Sequence, residues 1–382
     1  LVGALAGARV LQSARRRLSA WREEGGRYSR RDFLRFAGIA AGVSVVGGAV
    51  ARTMNAATTA ADAARGIIAL PDAASVTARI PSGASLDVPG ITPLVTPNDG
   101  FYRIDTALQV PVVDAATWRL RVTGMVEREL ELTFDELLAQ PLTESTITIA
   151  CVSNEVGGDL IGTATWLGWP VRDLLARARP LPGADMVLSR SVDGFTAGTP
   201  IEALTDDRDS LLAVGMNGEP LPLQHGFPVR MIVPGLFGYV SATKWLSELT
   251  VTTFAADQGY WTPRGWDALG PVKTSSRIDV PRSGQSVAAG RVAVAGVAWA
   301  QHRGVAAVEI RIDEGQWRPA RLARAISDDT WVQWVLEWDA QPGSHTIAVR
   351  ATDADGTTQR SNRLPPAPNG SEGWHTVTVT VS

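Results

Sequence analysis

Between residues 101 and 275, the spacing of hydrophobic residues switches several times between strand-like alternation and the helical repeat. Runs that alternate or repeat at helical spacing predict the strands Trp118–Val122 and Thr146–Cys151 and the helices Thr133–Ala139 and Pro170–Ala178. Frequent Gly, Pro and Asp between residues 180 and 275 indicate long loops. The pattern predicts an α+β domain, which we assign to residues 98–270, with loops that carry its function.

After Lys273 the pattern becomes one of short alternating strands separated by tight turns. The predicted strands are Val292–Trp299, Ala307–Ile312, Trp331–Leu336, His345–Arg350 and His375–Val381. Strands at this spacing, without a helical period between them, are typical of a β-sandwich. We therefore expect a second domain over residues 271–382.

Near the N-terminus, an uncharged run from Phe36 to Ala51 is rich in Ala, Gly and Val. At ~1.5 Å per residue a helix of this length spans about 24 Å, which is short of the ~30 Å hydrocarbon core of a membrane. Thr53–Ala61 could prolong the helix, and Arg52 could extend its side chain to the interface. We expect a membrane anchor within residues 1–61, followed by a Pro- and Gly-rich linker over residues 62–97.

The overall charge of −3 hides an asymmetry between the two ends of the chain. Residues 1–35 carry a net charge of +6 and the remainder carries −9. The near-balance of the whole chain argues against a nucleic-acid-binding protein. A basic segment beside a membrane helix predicts that this segment faces the cytoplasm and that the acidic body lies outside.

A twin Arg within that basic segment gives it a second interpretation. The motif Ser29-Arg30-Arg31-Asp32-Phe33-Leu34-Arg35, followed by a weakly apolar run, resembles the signal of the twin-arginine export route. That route carries proteins that are already folded, often with a cofactor. The alternative is a positive cytoplasmic loop between two membrane helices. Both predict a cell-membrane protein with an extracytoplasmic body.

Cys151 is the single cysteine of the chain, which excludes an intrachain disulfide and a CxxC zinc site. A lone cysteine is more often a small buried hydrophobe than a reactive thiol. Cys151, however, ends a predicted strand and opens the polar, Gly-rich loop 152–158, a position where binding residues are common. A thiolate there would suit a soft metal.

A second informative stretch runs from Met216 to Gly235 and continues to Trp245. His225, Arg230 and Lys244 lie in it and supply the donors and positive charge that a phosphate or pyrophosphate requires. Lys244 is one of only two lysines in the chain, against 34 arginines. The alternative interpretation is an ordinary strand with exposed ends.

Together these motifs resemble a known family. They are Phe101-Tyr102-Arg103, Cys151-x-x-Asn154, the run from Met216-Asn217-Gly218 to Arg230, and Lys244-Trp245. Their order over residues 91–382 is similar to that of the sulfite oxidase superfamily, without the haem domain of the animal enzymes. The resemblance implies an α+β molybdopterin-binding domain of sulfite oxidase type followed by an immunoglobulin-like β-sandwich, after an N-terminal membrane or export helix. By analogy, the sandwich suggests a homodimer.

The resemblance also implies a Mo-molybdopterin cofactor and a role for each matching residue. Cys151 matches the thiolate that binds molybdenum, and Arg103 matches an arginine of the oxyanion pocket, so these two are the predicted catalytic residues. The matching substrate-pocket positions are Arg103 and Phe195. The matching cofactor-binding positions are Asn98, Tyr102, Arg103, Cys151, Asn154, Ser191, His225, Arg230, Ser241, Ala242, Thr243 and Lys244.

Several positions depart from the pattern of the sulfite-oxidising members. Phe195 replaces a tyrosine, Asp105 replaces a histidine, and Glu155-Val156 stand where an arginine is usual. The run Trp331–Trp338 contains no arginine. Because unmet buried charge is costly, such a pocket should bind the sulfite dianion poorly.

Sequence alone therefore favours a membrane-anchored molybdenum oxidoreductase that transfers an oxygen atom to or from a small oxyanion, S-oxide or N-oxide. With no haem-attachment CxxCH in the chain, electrons would need a haem or quinol partner. An activity like that of a protein-methionine-sulfoxide reductase, or of a sulfite dehydrogenase, is an alternative. A cofactor-free adhesion or scaffold module that dimerises through the sandwich is an alternative of another class.

Overall fold

A computed structural model describes residues 58–382 of the chain. Residues 58–66 are helical, and residues 61–382 form one compact unit. Within the described residues, no helix is both long and apolar enough to cross a membrane. The predicted membrane helix and the twin-Arg motif lie outside the described residues, apart from the last few positions of the anchor.

The first part of the body contains two β-sheets. In chain order its strands are β1 (Ser75–Val76), β2 (Arg119–Gly124), β3 (Leu130–Thr133), β4 (Thr143–Ala150), β5 (Ile161–Pro170), β6 (Met186–Ser191), β7 (Thr196–Pro200), β8 (Leu211–Met216), β9 (Glu219–Pro220), β10 (Arg230–Ile232) and β11 (Leu246–Thr252). One sheet has the order β1-β4-β5-β8-β10, with β9 also on β8, and the other has the order β3-β2-β11-β6-β7. The predicted strands correspond to β2 and β4 with shifts of one to three residues at their ends.

Three short helices accompany these sheets: α1 (Phe134–Leu138), α2 (Val171–Ala178) and α3 (Glu202–Thr205). Helix α1 begins one residue after the predicted start, because Thr133 is its N-cap and forms a capping box with Glu136, in which each side chain accepts from the other's backbone N–H. The apolar face of α2, with Leu174 and Leu175 fully buried, packs into the same hydrophobic cluster as Leu120 of β2 and Leu249 of β11.

The second part of the body is a pair of sheets that share one hydrophobic cluster. Its strands are β12 (Ser275–Val280), β13 (Ser286–Val287), β14 (Gly290–Trp299), β15 (Val305–Ile312), β16 (Arg318–Pro319), β17 (Arg321–Leu322), β18 (Val332–Ala340), β19 (Gly343–Asp353) and β20 (His375–Val381). The sheet orders are β12-β14-β18-β17 and β13-β20-β19-β15-β16. Side chains from both sheets, such as Val294, Trp334, Ile347 and Val379, fill the space between them. An immunoglobulin-like topology stays a prediction.

The predicted helices Thr133–Ala139 and Pro170–Ala178 correspond to α1 and α2, and the described body is otherwise mostly sheet. The segment 62–97, by contrast, differs from the expected linker. Strand β1 pairs with β4, Ala84 and Leu94 are buried, and Thr96 bonds Thr163 on β5. Its Pro and Gly residues therefore mark turns of a segment that packs on the folded body.

Candidate active site

Cys151 lies where β4 ends, at the start of a loop that closes on itself. Its backbone N–H donates to the carbonyl of Leu160 at 2.9 Å, and its carbonyl accepts from the Asn154 N–H at 3.0 Å. The Oδ1 atom of Asn154 accepts from the Leu160 N–H at 2.9 Å. Asn154 is thus a buried brace of the Cys151 loop, which we define as residues 151–160. The turn leaves the thiol on the wall of a cleft.

This cleft, the Cys151 cleft, encloses about 910 Å³ of empty space, part of it open to solvent. The structure brings most of the predicted site residues to its wall although they come from separate segments. Those that line it are Tyr102, Cys151, Ser191, Phe195, His225, Arg230, Ala242 and Lys244. Their convergence supports a single binding site.

The remaining predicted residues lie beside the wall and have other partners. The side-chain amide of Asn98 donates to the Met216 carbonyl and to Glu219 Oε1. The backbone carbonyl of Asn98 accepts a hydrogen bond from His225 Nε2 at 2.9 Å. Arg103 is 39% exposed and pairs with Asp105 at 2.5 Å. For these two residues, cofactor or substrate contact stays a prediction.

Ser241 and Thr243 belong to the segment that carries Lys244, and their hydroxyls are engaged within the protein. Ser241 Oγ donates to the Phe237 carbonyl at 3.0 Å, and the hydroxyls of Thr243 and Ser189 lie 2.7 Å apart. Both residues are buried. These hydrogen bonds hold the segment that carries Ala242 and Lys244 to the rest of the domain. Direct cofactor contact by Ser241 and Thr243 stays a prediction.

Arg230 is the most deeply buried cation of the cleft. Its Nη1 atom donates to the His225 carbonyl at 3.1 Å and its Nη2 atom to the Ala242 carbonyl at 3.4 Å. Among the described residues, its buried Nε atom has no hydrogen-bond partner. Burial lowers the pKa of Arg230 to about 10, so the side chain is still a cation at neutral pH. A buried cation with an unused donor favours an anionic ligand.

His225 is the last residue of a short 3₁₀ helix, Leu223–His225, and is 1% exposed. Burial, reinforced by the charges of Arg230 and Arg103, lowers its pKa to about 4. The ring is therefore neutral at pH 7, and its bond to the Asn98 carbonyl requires the proton on Nε2. The next residue, Gly226, has φ +110, and a Cβ there would lie 3.0 Å from the Cβ atoms of Arg230 and Lys244. Only glycine lets these segments approach so closely.

Lys244 forms an ion pair with Asp105 inside the cleft, and its Nζ also donates to the Gln224 carbonyl at 3.1 Å. The two charged side chains are 12% and 4% exposed. Burial and the nearby Arg103 guanidinium lower the pKa of Lys244 to about 7. The touching Asp105 carboxylate acts in the opposite direction and keeps the lysine protonated.

Cys151 and Tyr102 both sit in low-dielectric surroundings on the cleft wall. Burial raises the pKa of the Cys151 thiol, although hydrogen bonds from Ser153 act in the opposite direction. Burial also raises the pKa of Tyr102, as does the Cys151 charge, while Arg230 opposes the rise. Tyr102 is therefore a protonated hydrogen-bond donor. A bound metal would favour the thiolate of Cys151.

An aromatic arc, which was not predicted from the sequence, forms another part of the cleft region. Successive ring centroids are 5.9 Å apart for Phe195 and Tyr260, 5.2 Å for Tyr260 and Trp261, 6.3 Å for Trp261 and Trp266, and 5.9 Å for Trp266 and Tyr239. All but Tyr260 line the cleft. The aromatic density of residues 260–266 was the available signal.

Comparison with known proteins identifies the family of the chain. Residues 107–261 match the oxidoreductase molybdopterin binding domain. The chain is 30% identical to chicken sulfite oxidase over 321 residues, which covers 71% of this chain and 69% of that protein. The chain belongs to the sulfite oxidase superfamily of molybdopterin oxidoreductases. The family and the Mo-molybdopterin cofactor predicted from the sequence are thereby confirmed.

Two further proteins are similar to the chain, one in sequence and one in fold. It is 31% identical to the human mitochondrial sulfite oxidase over 341 residues, which covers 75% of this chain but only 62% of the human protein. The crystal structure of the sulfane dehydrogenase SoxCD from Paracoccus pantotrophus matches with a TM-score of 0.65 and 22% identity, covering 76% of this chain and 84% of that chain. The second likeness concerns the fold alone.

The described residues fit the cofactor of this superfamily. Arg230 offers an unused buried donor, Lys244 offers a second cation, and Cys151 offers a soft ligand on the same wall. Asp105 fits less well, because its carboxylate already forms an ion pair with the Lys244 ammonium that the phosphate would need. Bound molybdopterin would be held by Arg230 and Lys244 through its phosphate and by Cys151 through the metal.

Proposed function

We propose that this chain is a membrane-anchored, extracytoplasmic molybdenum oxidoreductase that reduces a neutral organic S-oxide or N-oxide by two electrons. The oxygen atom leaves as water, with two protons and two electrons taken up per turnover. A haem or quinol partner supplies the electrons. One observation carries the proposal: a soft thiol and a buried cation with an unused donor share the wall of one cleft.

The bound cofactor would supply the two-electron, oxygen-atom chemistry at its metal, and the protein residues bind, orient and exclude water. Arg230 and Lys244 anchor the phosphate. Gly226 lies close to both residues, and its missing side chain lets their segments pack together. Tyr102 stays protonated and can donate a hydrogen bond from the cleft wall. His225 is neutral, so it adds no charge to the cleft, and its Nε2–H donates a hydrogen bond to the Asn98 backbone carbonyl.

The charges of the cleft favour a neutral substrate over an oxyanion. Among the described residues that line it, the cations Arg230 and Lys244 are matched by the acids Asp105 and Asp193. If both cations hold the cofactor phosphate, no lining cation is left to neutralise a dianion. The aromatic arc offers apolar surface to an organic substituent instead.

Sulfite oxidation is the second candidate, because the chicken and human relatives described above are named sulfite oxidases. That reaction would join sulfite with the oxygen of water, giving sulfate, two protons and two electrons. Phe195 lines the cleft where the sulfite-oxidising members have tyrosine, and it offers no hydrogen-bond donor to an oxyanion. We therefore rank sulfite below the neutral oxides.

The activity can be tested with a reduced artificial electron carrier and purified chain from a host that makes molybdopterin. We expect carrier oxidation with a dialkyl sulfoxide or an amine N-oxide, and its loss in Cys151→Ser. Ser344→Ala, which alters an exposed serine of β19, is the matched control and should keep activity. Turnover of sulfite alone would contradict the substrate, and full activity of Cys151→Ser would contradict the site.

The membrane location is tested separately through the basic segment. The twin-Arg motif and the +6 charge of residues 1–35 support export of the folded, cofactor-loaded chain. Replacing Arg30 and Arg31 together by lysine should retain the chain in the cytoplasm, whereas replacing Arg15 and Arg16 in the same way should not. Normal protease accessibility of the first variant outside the cell would favour an ordinary membrane helix instead.

A further inference from the structure

The loop that carries Cys151 is held from outside by the C-terminal sandwich. Ser371 Oγ donates to the Asn154 carbonyl at 2.7 Å, and Arg277 Nη1 donates to the Gly158 carbonyl at 2.8 Å. Both acceptors are backbone atoms of the Cys151 loop, so the contacts fix the path of the loop whatever its side chains do. The loop's own hydrogen bonds close the turn but do not tie it to the rest of the body.

Arg277 is itself rigidly placed. It is 8% exposed, its Nε donates to Asp279 Oδ1 at 2.7 Å, and its Nη2 donates to Thr92 Oγ1 at 2.8 Å. Its three guanidinium nitrogens therefore each have a partner on a different segment. A lysine could not reproduce this fork, because an ammonium is a point donor on a flexible stem.

His375, at the start of β20, adds a steric contact. Its Nδ1 accepts from the Ile278 N–H at 3.0 Å, which turns the other edge of the ring toward Gly157. A Cβ at position 157 would overlap that ring, and Gly157 has φ +81. The loop thus lies against His375 at a glycine, where no side chain stands between the backbone and the ring.

The strand before Cys151 is tied to the same sandwich. The Thr148 N–H donates to the Asp329 carbonyl at 2.9 Å, and Thr148 Oγ1 accepts from the Trp331 N–H at 2.8 Å. Gln301 Nε2 reaches the Thr148 carbonyl at 3.3 Å. Strand β4 and the loop after it therefore have sandwich contacts on both sides of the thiol.

We propose that Ser371, Arg277 and His375 are positioning residues, through which the C-terminal sandwich holds the Cys151 loop and fixes the thiol on the cleft wall. The inference rests on the proposed function only in taking Cys151 as the metal-binding group. It assigns the sandwich a role in the active site in addition to the dimerisation suggested by analogy.

The test uses the full chain made without cofactor, in which the single cysteine gives one clean alkylation signal. Ser371→Ala should raise the hydrogen exchange rate of peptides covering residues 151–160 by about tenfold, since a lost hydrogen bond of about 1.4 kcal/mol changes a local opening equilibrium by that factor. Alkylation of Cys151 by iodoacetamide at fixed pH should accelerate in parallel. Combining Ser371→Ala with Arg277→Lys should increase both effects.

Two matched variants serve as controls. Ser344→Ala removes an exposed serine hydroxyl from the sandwich, and Arg321→Lys alters an exposed arginine on β17, in the same sheet as Arg277. Both control variants should leave the exchange of the Cys151 loop and the alkylation of Cys151 unchanged. In every variant, peptides from residues 343–353 should exchange at the wild-type rate.

If Ser371→Ala exchanges and alkylates at the loop no faster than the control variants, the proposal is overturned. Exchange that rises uniformly over the chain would also overturn it, because that indicates lost global stability. Absence of molybdenum from the chain purified from a host that makes molybdopterin would instead refute the proposed function and leave this result intact.

Discussion

The carboxylate of Asp105 contacts the ammonium of Lys244 within the Cys151 cleft, and both side chains are almost completely buried. Asp105 pairs at the same time with Arg103 at 2.5 Å. It therefore neutralises, at close range, a cation that the family resemblance assigns to the cofactor phosphate. A phosphate that reaches Lys244 must compete with Asp105 or displace it.

Removing the Asp105 charge should therefore strengthen anion binding. Asp105→Asn keeps the shape of the side chain and frees the Lys244 ammonium, so we expect the affinity of cofactor-free protein for inorganic pyrophosphate to rise about tenfold, equivalent to about 1.4 kcal/mol. Titration calorimetry measures this. Asp193→Asn, which removes an acid from the same cleft without touching Lys244, should have a smaller effect. If Asp193→Asn raised the pyrophosphate affinity as much as Asp105→Asn or more, Asp105 would not compete with the phosphate for Lys244.

Arg230 should be the strongest anchor of the cofactor. Arg230→Ala removes a buried charge-assisted donor worth about 1.5–3 kcal/mol, so the pterin content per purified chain should fall by about tenfold or more. The content is measured by fluorescence of the pterin after oxidative release. Arg119→Ala, at an exposed arginine of β2, should retain the wild-type content. Undiminished pterin in Arg230→Ala would disprove this anchor.

Two histidines, the buried His225 and the half-buried His375, predict how stability depends on pH. Burial, with help from neighbouring arginines, lowers the pKa of His225 and of His375 to about 4, whereas an unfolded histidine titrates near 6.5. Between these values the unfolded chain binds protons that the folded chain does not. Each group therefore lowers the free energy of unfolding as pH falls, by up to about 1.4 kcal/mol per pH unit.

His345 provides the opposite control. Its hydrogen bond to Asp313 raises its pKa, so its contribution is present below the unfolded pKa and is lost as pH rises through the folded pKa. In denaturant titrations between pH 7 and 4.5, His375→Gln should flatten the loss of stability and His345→Gln should steepen it. Identical slopes in His375→Gln and the wild type would show that His375 does not stay neutral.

Local signals in the sequence explain which parts of the fold could be predicted. Strand β4 shows a β-branched run, and α1 begins at a capping box that lies within four residues. Such features need no knowledge of distant segments. Cys151 was identified for the same reason, since it directly follows the strand.

Long-range contacts explain what could not be predicted. The burial of Ala84 and Leu94 depends on surfaces that form only when the body folds, so their segment resembled a linker. Asp105 was noted only as a departure from the family pattern, because nothing in the sequence reveals that it meets Lys244. The contact of Ser371 with the Asn154 carbonyl joins two domains and is equally invisible in the sequence.

We propose that Cys151, Arg230 and Lys244 together bind the molybdenum cofactor. The decisive experiment is elemental analysis of the wild-type chain and of Cys151→Ser, both purified from a molybdopterin-competent host. We expect about one molybdenum per wild-type chain and a clear loss of metal in Cys151→Ser, with the unfolding midpoint little changed, because Cys151 is the only thiol of the chain. A wild-type chain without molybdenum, or a variant that retains the full amount, would contradict it.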